Sequence, residues 1–148
     1  TTTTTTTTVT TTPDVVILDD DDDDDDAEDD ALDEFPDEYR PHCDGGCDGS
    51  PHLHGGRVAT MLLYCAVASH GGATTFTNAR AVAAPKPRDA VFFSYLDKAT
   101  NTMDTGITTH SGCPVLEGDK WVVTLWMRRG ISAEDVWSQY DPSGARHA

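Results

Sequence analysis

Three residues of this chain have the types and spacing to share one metal ion. They are His42 and Asp44, within Pro41-His42-Cys43-Asp44, and His110, within Thr109-His110-Ser111-Gly112-Cys113-Pro114-Val115. Two imidazoles and one carboxylate, split as His-x-Asp and a distant His, are the ligand set of a non-heme Fe(II) site. They fill three octahedral positions and leave three for a cosubstrate and oxygen. Lys120 follows His110 by ten residues, in Gly118-Asp119-Lys120-Trp121, and offers a cation for a dicarboxylate. On a strand, His42 and Asp44 point to the same face. Lys120 and Arg128 share strand parity, so both can face the cavity that holds the metal.

Strands are the elements that must position these groups. Val58 to Cys65 is a near-continuous apolar run, consistent with a buried strand. Ala73 to Thr77 and Ala90 to Tyr95 are β-like in composition. Lys120 to Arg128 alternates, with Trp121, Val123, Leu125 and Met127 on one face. Short strands separated by Gly, Pro and Asn predict an antiparallel barrel or sandwich, an all-β class. Val15 to Leu18 can add one more strand. Ser132 is placed to N-cap a short helix through Asp135, and Asp141-Pro142-Ser143-Gly144 reads as a turn.

The charge is unevenly placed. The net charge is −16 over 148 residues, but residues 14–38 carry 16 of the 26 acids and no Lys or Arg, while residues 39–148 are formally neutral. The acidic segment repels phosphate, which argues against nucleic acid as a partner. No run of 18 apolar residues occurs, so no membrane-spanning helix is expected, and the threonine-rich opening is not a signal peptide. Residues 1–38 form a low-complexity segment, first a threonine tract that reads as an extended stalk, then eight consecutive aspartates at Asp19 to Asp26. Cys43 and Cys47 can bridge across Gly45-Gly46, which suits a secretory compartment. Cys43, Cys47, His52 and His54 alternatively offer a tetrahedral zinc set.

The stretch from Tyr39 to Gly130 resembles the catalytic domain of prolyl 4-hydroxylases, which are Fe(II)- and 2-oxoglutarate-dependent dioxygenases. Tyr39-Arg40-Pro41-His42-Cys43-Asp44, Arg57 to Tyr64, Gly71-Gly72-Ala73-Thr74-Thr75-Phe76, Asp89 to Phe93, His110 to Val115 and Gly118 to Trp121 carry the resemblance, in the family's order. It implies a double-stranded β-helix, or jelly-roll, over residues 39–131, followed by a C-terminal helix and tail over 132–148. It implies that His42, Asp44 and His110 ligate Fe(II), and that Lys120, Arg128 and Tyr64 bind 2-oxoglutarate. Tyr39, Arg57 and Trp126 match positions that line the peptide channel in relatives. The implied reaction converts 2-oxoglutarate and oxygen to succinate and carbon dioxide while hydroxylating a prolyl 4-position in a proline-rich protein, with ascorbate as a further cofactor. The implied location is the secretory pathway, in the endoplasmic reticulum, or outside the cell.

The chain departs from that pattern at three places. Arg128 stands where relatives often have a histidine, and Arg88 where they usually have glycine. The aspartate run and residues 27–37 replace the strand expected just before His-x-Asp. That last departure motivates a second reading, in which the chain is a structural or binding module of a larger extracellular assembly that grips a proline-rich or glycosylated strand.

Overall fold

The computed structural model describes residues 14–16 and 38–147. The threonine stalk, the aspartate run and the end of the Val15 to Leu18 strand lie outside the described residues. Twelve strands and one 3-10 turn make up the described elements.

Two four-stranded sheets form the body. The first has the order β1 (Asp14–Val16), β12 (Trp121–Arg128), β3 (Arg57–Ala66) and β7 (Ala90–Ser94). The second has the order β2 (Tyr39–His42), β10 (His110–Gly112), β5 (Thr74–Phe76) and β6 (Ala81–Ala83). Two ribbons complete it, β4 (His70–Gly71) with β11 (Val115–Glu117), and β8 (Leu96–Asp97) with β9 (Thr102–Met103). Every named pairing is antiparallel. This is the expected jelly-roll, in which two sheets bury their inner faces against each other.

The long apolar run of β3 is not buried on both faces. Thr60, Leu62 and Tyr64 are buried, whereas Met61 and Leu63 are half-buried and Cys65 is exposed. A strand's period of two explains the difference: an antiparallel sheet turns only alternate residues toward its core. Across the interior, Phe93 of β7 packs edge-on against Phe76 of β5 at 5.0 Å and against His110 of β10 at 4.8 Å. The two sheets therefore meet on the histidine that the sequence marks for chemistry.

The C-terminal helix expected from Ser132 to Asp135 does not form. Ser132 Oγ does accept from the amides of Glu134 and Asp135, as a cap would. The Asp135 carboxylate, however, accepts from the Tyr140 hydroxyl and from Arg146 Nη2, and it pairs with His54 Nε2 at 2.7 Å. These long-range ties hold the segment against the 52–56 loop and stop the turn from propagating. The only helix among the described residues is the single 3-10 turn Trp137–Gln139. The turn at Asp141 forms as read, with Asp141 Oδ1 accepting from the amides of Ser143, Gly144 and Ala145.

Arg88, at the glycine position noted above, has φ 78°, and its amide donates to the Tyr64 carbonyl at 2.7 Å. The left-handed conformation costs a residue with a Cβ about 1–2 kcal/mol, and glycine's extra unfolded-state entropy offsets about 0.5–1 kcal/mol of any relief. Arg88→Gly is therefore expected to stabilise the fold by roughly 0.5–1 kcal/mol. A urea-unfolding midpoint that rises with an unchanged slope checks this; a lower midpoint contradicts it.

Candidate metal centre

Strand pairing brings the two histidines together. In the β2–β10 ladder His110 lies directly opposite His42, and their ring centroids are 4.4 Å apart. Strand β2 ends at His42, so Asp44 does not share its strand face as expected. It sits in the bend after β2, 7 % exposed, and the loop carries it back to the same point. Asp44 Oδ1 is 3.5 Å from His42 Nε2, and Oδ2 is 3.7 Å from His110 Nε2. The three potential ligand atoms all lie within 4.8 Å of one another, the sole such cluster of at least three His, Cys, Asp or Glu among the described residues.

The donor set fits a metal in more than distance. His42 Nδ1 bonds the Arg40 carbonyl at 2.8 Å, and His110 Nδ1 bonds the Thr108 carbonyl at 3.0 Å. A carbonyl only accepts, so each Nδ1 carries a proton, and in the neutral ring Nε2, on the side of Asp44, is the nitrogen left to bind a metal. Two neutral imidazole nitrogens and a carboxylate oxygen suit Fe(II).

The electrostatics belong to one coupled group. Burial pulls the His42 imidazole down, but its hydrogen bond to Asp44, the Arg40 carbonyl and the Asp44 charge together raise it above its ordinary value. Burial pushes the Asp44 carboxyl up, yet hydrogen bonds from His42 and Thr60 and the charges of both histidines bring it below the usual range. His110 is lowered, chiefly by burial.

A second group lies further along the inner face of β3. Tyr64 Oη and Thr74 Oγ1 are 2.6 Å apart, and Lys120 Nζ donates to Thr74 Oγ1 at 3.4 Å. Lys120 Nζ is 5.9 Å from the Tyr64 ring centroid. Burial lowers the Lys120 ammonium and raises the Tyr64 phenol. No carboxylate of the described residues pairs with Lys120. Arg128 is elsewhere. It ends β12, about 23 Å from Trp121 along the strand at the usual rise per residue, so a shared strand parity does not by itself bring it to Lys120. It is buried, with Nη1 donating to the carbonyls of Gly55 and Asp141.

The three residues expected to touch substrate surround the metal group. Tyr39 is 61 % exposed and stands edge-on to His42 at 4.3 Å. Arg57 Cζ lies 3.7 Å over the Trp126 ring, and Arg57 Nη1 donates to the Asp44 carbonyl at 3.3 Å. Thr60, Thr74 and Tyr95 were not singled out in the sequence, although each contacts this constellation. The signal for Thr60 was available: it is a polar residue at an inward position of an otherwise apolar strand, where a hydroxyl must find a partner.

The alternative zinc set is excluded. Cys43 and Cys47 form a disulfide, His52 Nε2 bonds the Gly56 carbonyl at 3.3 Å, and His54 is taken by Asp135. Cys65 and Cys113 are free thiols.

Residues 33–128 match the description of the 2OG-Fe(II) oxygenase superfamily, and this span holds all three candidate ligands. The chain belongs to the 2OG-Fe(II) oxygenase superfamily. Within it, the chain is 39 % identical over 93 residues to the human prolyl 4-hydroxylase subunit alpha-3, covering 60 % of this chain and 17 % of that protein. It is 42 % identical over 73 residues to the subunit alpha-1 of Caenorhabditis elegans, covering 49 % of this chain and 13 % of the relative. Among solved structures it is similar to the viral collagen prolyl hydroxylase of Paramecium bursaria Chlorella virus-1 in complex with 2-oxoglutarate. That likeness has a TM-score of 0.51 and 28 % identity, over 65 % of this chain and 54 % of the other. This oxygenase chain thus spans less than a fifth of these curated relatives and about half of the viral enzyme.

The disulfide closes the loop that carries Asp44, and Cys43 Sγ lies 3.3 Å from Thr109 Oγ1, next to His110. Replacing both cysteines by serine frees a five-residue loop in the unfolded chain, a loss of about 2 kcal/mol by the chain-entropy relation. We expect a melting temperature lower by several degrees in the C43S/C47S variant. Unchanged melting would show that the bridge adds nothing to the fold.

Proposed function

We propose that the chain is a prolyl 4-hydroxylase-like dioxygenase domain that uses Fe(II), 2-oxoglutarate and oxygen to hydroxylate proline in a proline-rich protein. The observation that carries this reading is the convergence of His42, Asp44 and His110, with the charge of Lys120, a half-buried cation without a carboxylate partner among the described residues, reaching His110.

In this reading His42 and His110 hold the metal through Nε2 and Asp44 through its carboxylate. Bound there, Fe(II) supplies the oxygen chemistry that splits 2-oxoglutarate into succinate and carbon dioxide and hydroxylates the substrate carbon. Lys120 takes the distal carboxylate of 2-oxoglutarate, and the Tyr64 and Thr74 hydroxyls add hydrogen bonds at the same end. Arg128, whose charge reaches Tyr95, belongs to the metal end of the cavity, away from that carboxylate. The apolar wall of Phe76, Phe93 and Leu62 limits water around the reacting atoms. Tyr39 and the Arg57–Trp126 pair face the peptide, whose extended proline-rich backbone suits aromatic surfaces. Ascorbate serves as the reductant that keeps the iron as Fe(II). The Cys43–Cys47 bridge supports placement in the secretory pathway or outside the cell, where such bonds persist.

The test is release of succinate coupled to the gain of one oxygen atom by a proline-rich peptide, with the full chain, Fe(II), ascorbate and 2-oxoglutarate. His42→Ala is expected to abolish turnover. Lys120→Ala is expected to raise the KM for 2-oxoglutarate roughly tenfold to a hundredfold, the worth of a charge-assisted bond. No succinate from folded, iron-loaded protein would sink the enzymatic reading. Tight retention of the peptide without turnover would instead favour the module of an extracellular assembly.

A further inference from the structure

Thr60 has no exposed surface, and its hydroxyl donates to Asp44 Oδ2 at 2.6 Å. The same hydroxyl oxygen lies 3.3 Å from the Tyr95 hydroxyl, and Tyr95 is 2 % exposed. A carboxylate can only accept, so the single Thr60 proton is spent on Asp44, and Tyr95 must be the donor to Thr60. The chain of donation therefore runs one way, from Tyr95 to Thr60 to Asp44. Packing ties Tyr95 to Asp44 by a second route. A Cβ on Gly45 would come within 2.5 Å of the Tyr95 ring, so the loop that carries Asp44 rests directly on that ring. Each carboxylate oxygen faces one imidazole, Oδ1 3.5 Å from His42 Nε2 and Oδ2 3.7 Å from His110 Nε2, but only Oδ2 also accepts from a protein hydroxyl.

We propose that Thr60, steadied by Tyr95, is a positioning residue that commits Oδ2 of Asp44 to the protein and reserves Oδ1 for the metal. The inference rests on the metal reading above. It adds that the carboxylate's orientation is set by a buried hydroxyl pair rather than by the metal itself. A carboxylate held through one oxygen occupies one coordination position, which preserves the three positions that 2-oxoglutarate and oxygen require.

The test uses the full chain and Co(II) alone, with binding read by competition against a chromophoric chelator and by the visible spectrum of bound Co(II). Thr60→Val keeps the shape and removes the hydroxyl, and is expected to weaken Co(II) about tenfold to a hundredfold, as loss of a partner behind a ligand does. Thr60→Ser is expected to remain within about threefold of the parent. Tyr95→Phe, which leaves Thr60 in place, is expected to weaken Co(II) by a smaller factor with an altered spectrum. Circular dichroism confirms that each variant is folded. A folded Thr60→Val that binds Co(II) as the parent does, with the same spectrum, overturns the proposal. So does a Thr60→Ser as weak as Thr60→Val, because packing rather than the hydroxyl would then matter. If Thr60→Val does not fold, Tyr95→Phe decides, and parent-like affinity and spectrum overturn the proposal. Failure of the parent chain itself to bind Co(II) would instead count against the metal reading on which this one stands.

Discussion

The antiparallel register that sets His110 opposite His42 is the constraint on which the rest depends. In a sheet of period two, a slip of one residue turns every side chain to the other face. Such a slip in the β2–β10 ladder would send one imidazole out of the interior and leave Asp44 buried beside a single histidine. The register is held from both sides. Ser111 and Gly112 of β10 pair with Thr75 and Thr74 of β5, with a Thr75–Ser111 hydroxyl contact at 2.7 Å. The His110 ring is packed against Phe76 and Phe93. A buried carboxylate is costly unless it is paired and hydrogen-bonded, and Asp44 meets that demand with two imidazoles and the Thr60 hydroxyl.

The inner face of β3 gives the cavity its axis. Thr60, Leu62 and Tyr64 follow one another at every second residue, from the metal group, past an apolar wall, to the lysine. Thr60 to Tyr64 spans about 13 Å at the rise of a strand. One strand thereby sets the spacing between the His42–Asp44–His110 group and the Tyr64–Thr74–Lys120 group. The sheet edges and loops around this axis supply the rest, Asp44 from the bend after β2 and Lys120 from the entry to β12.

Much of this was legible in the sequence, and unevenly so. His42, Asp44 and His110, which the fold brings together, show in the sequence as a His-x-Asp pair and a later His set among β-like runs. Strand β12 showed through its alternation alone. The loop position of Asp44 did not, since residues two apart meet on a strand face and a tight bend can achieve the same convergence. Arg128 shares strand parity with Lys120 but lies at the other end of β12, because parity gives the face a side chain takes and not its place along the strand. The C-terminal segment failed for a different reason. Ser132 forms its local cap, but the decisive contacts of Asp135 run to His54, Tyr140 and Arg146. Such contacts are set by the tertiary fold and not by neighbours in sequence. Thr60 and Tyr95 read as ordinary strand residues until the fold brings them behind Asp44.

The measurement that bears most directly on the central claim is iron K-edge X-ray absorption on the full chain loaded anaerobically with Fe(II). The predicted result is one tightly bound Fe(II) per chain whose nearest shell contains two imidazole nitrogens and a carboxylate oxygen, and whose imidazole scattering is reduced in the His110→Ala variant. Iron that binds weakly, or with an unchanged imidazole signal in that variant, would contradict it.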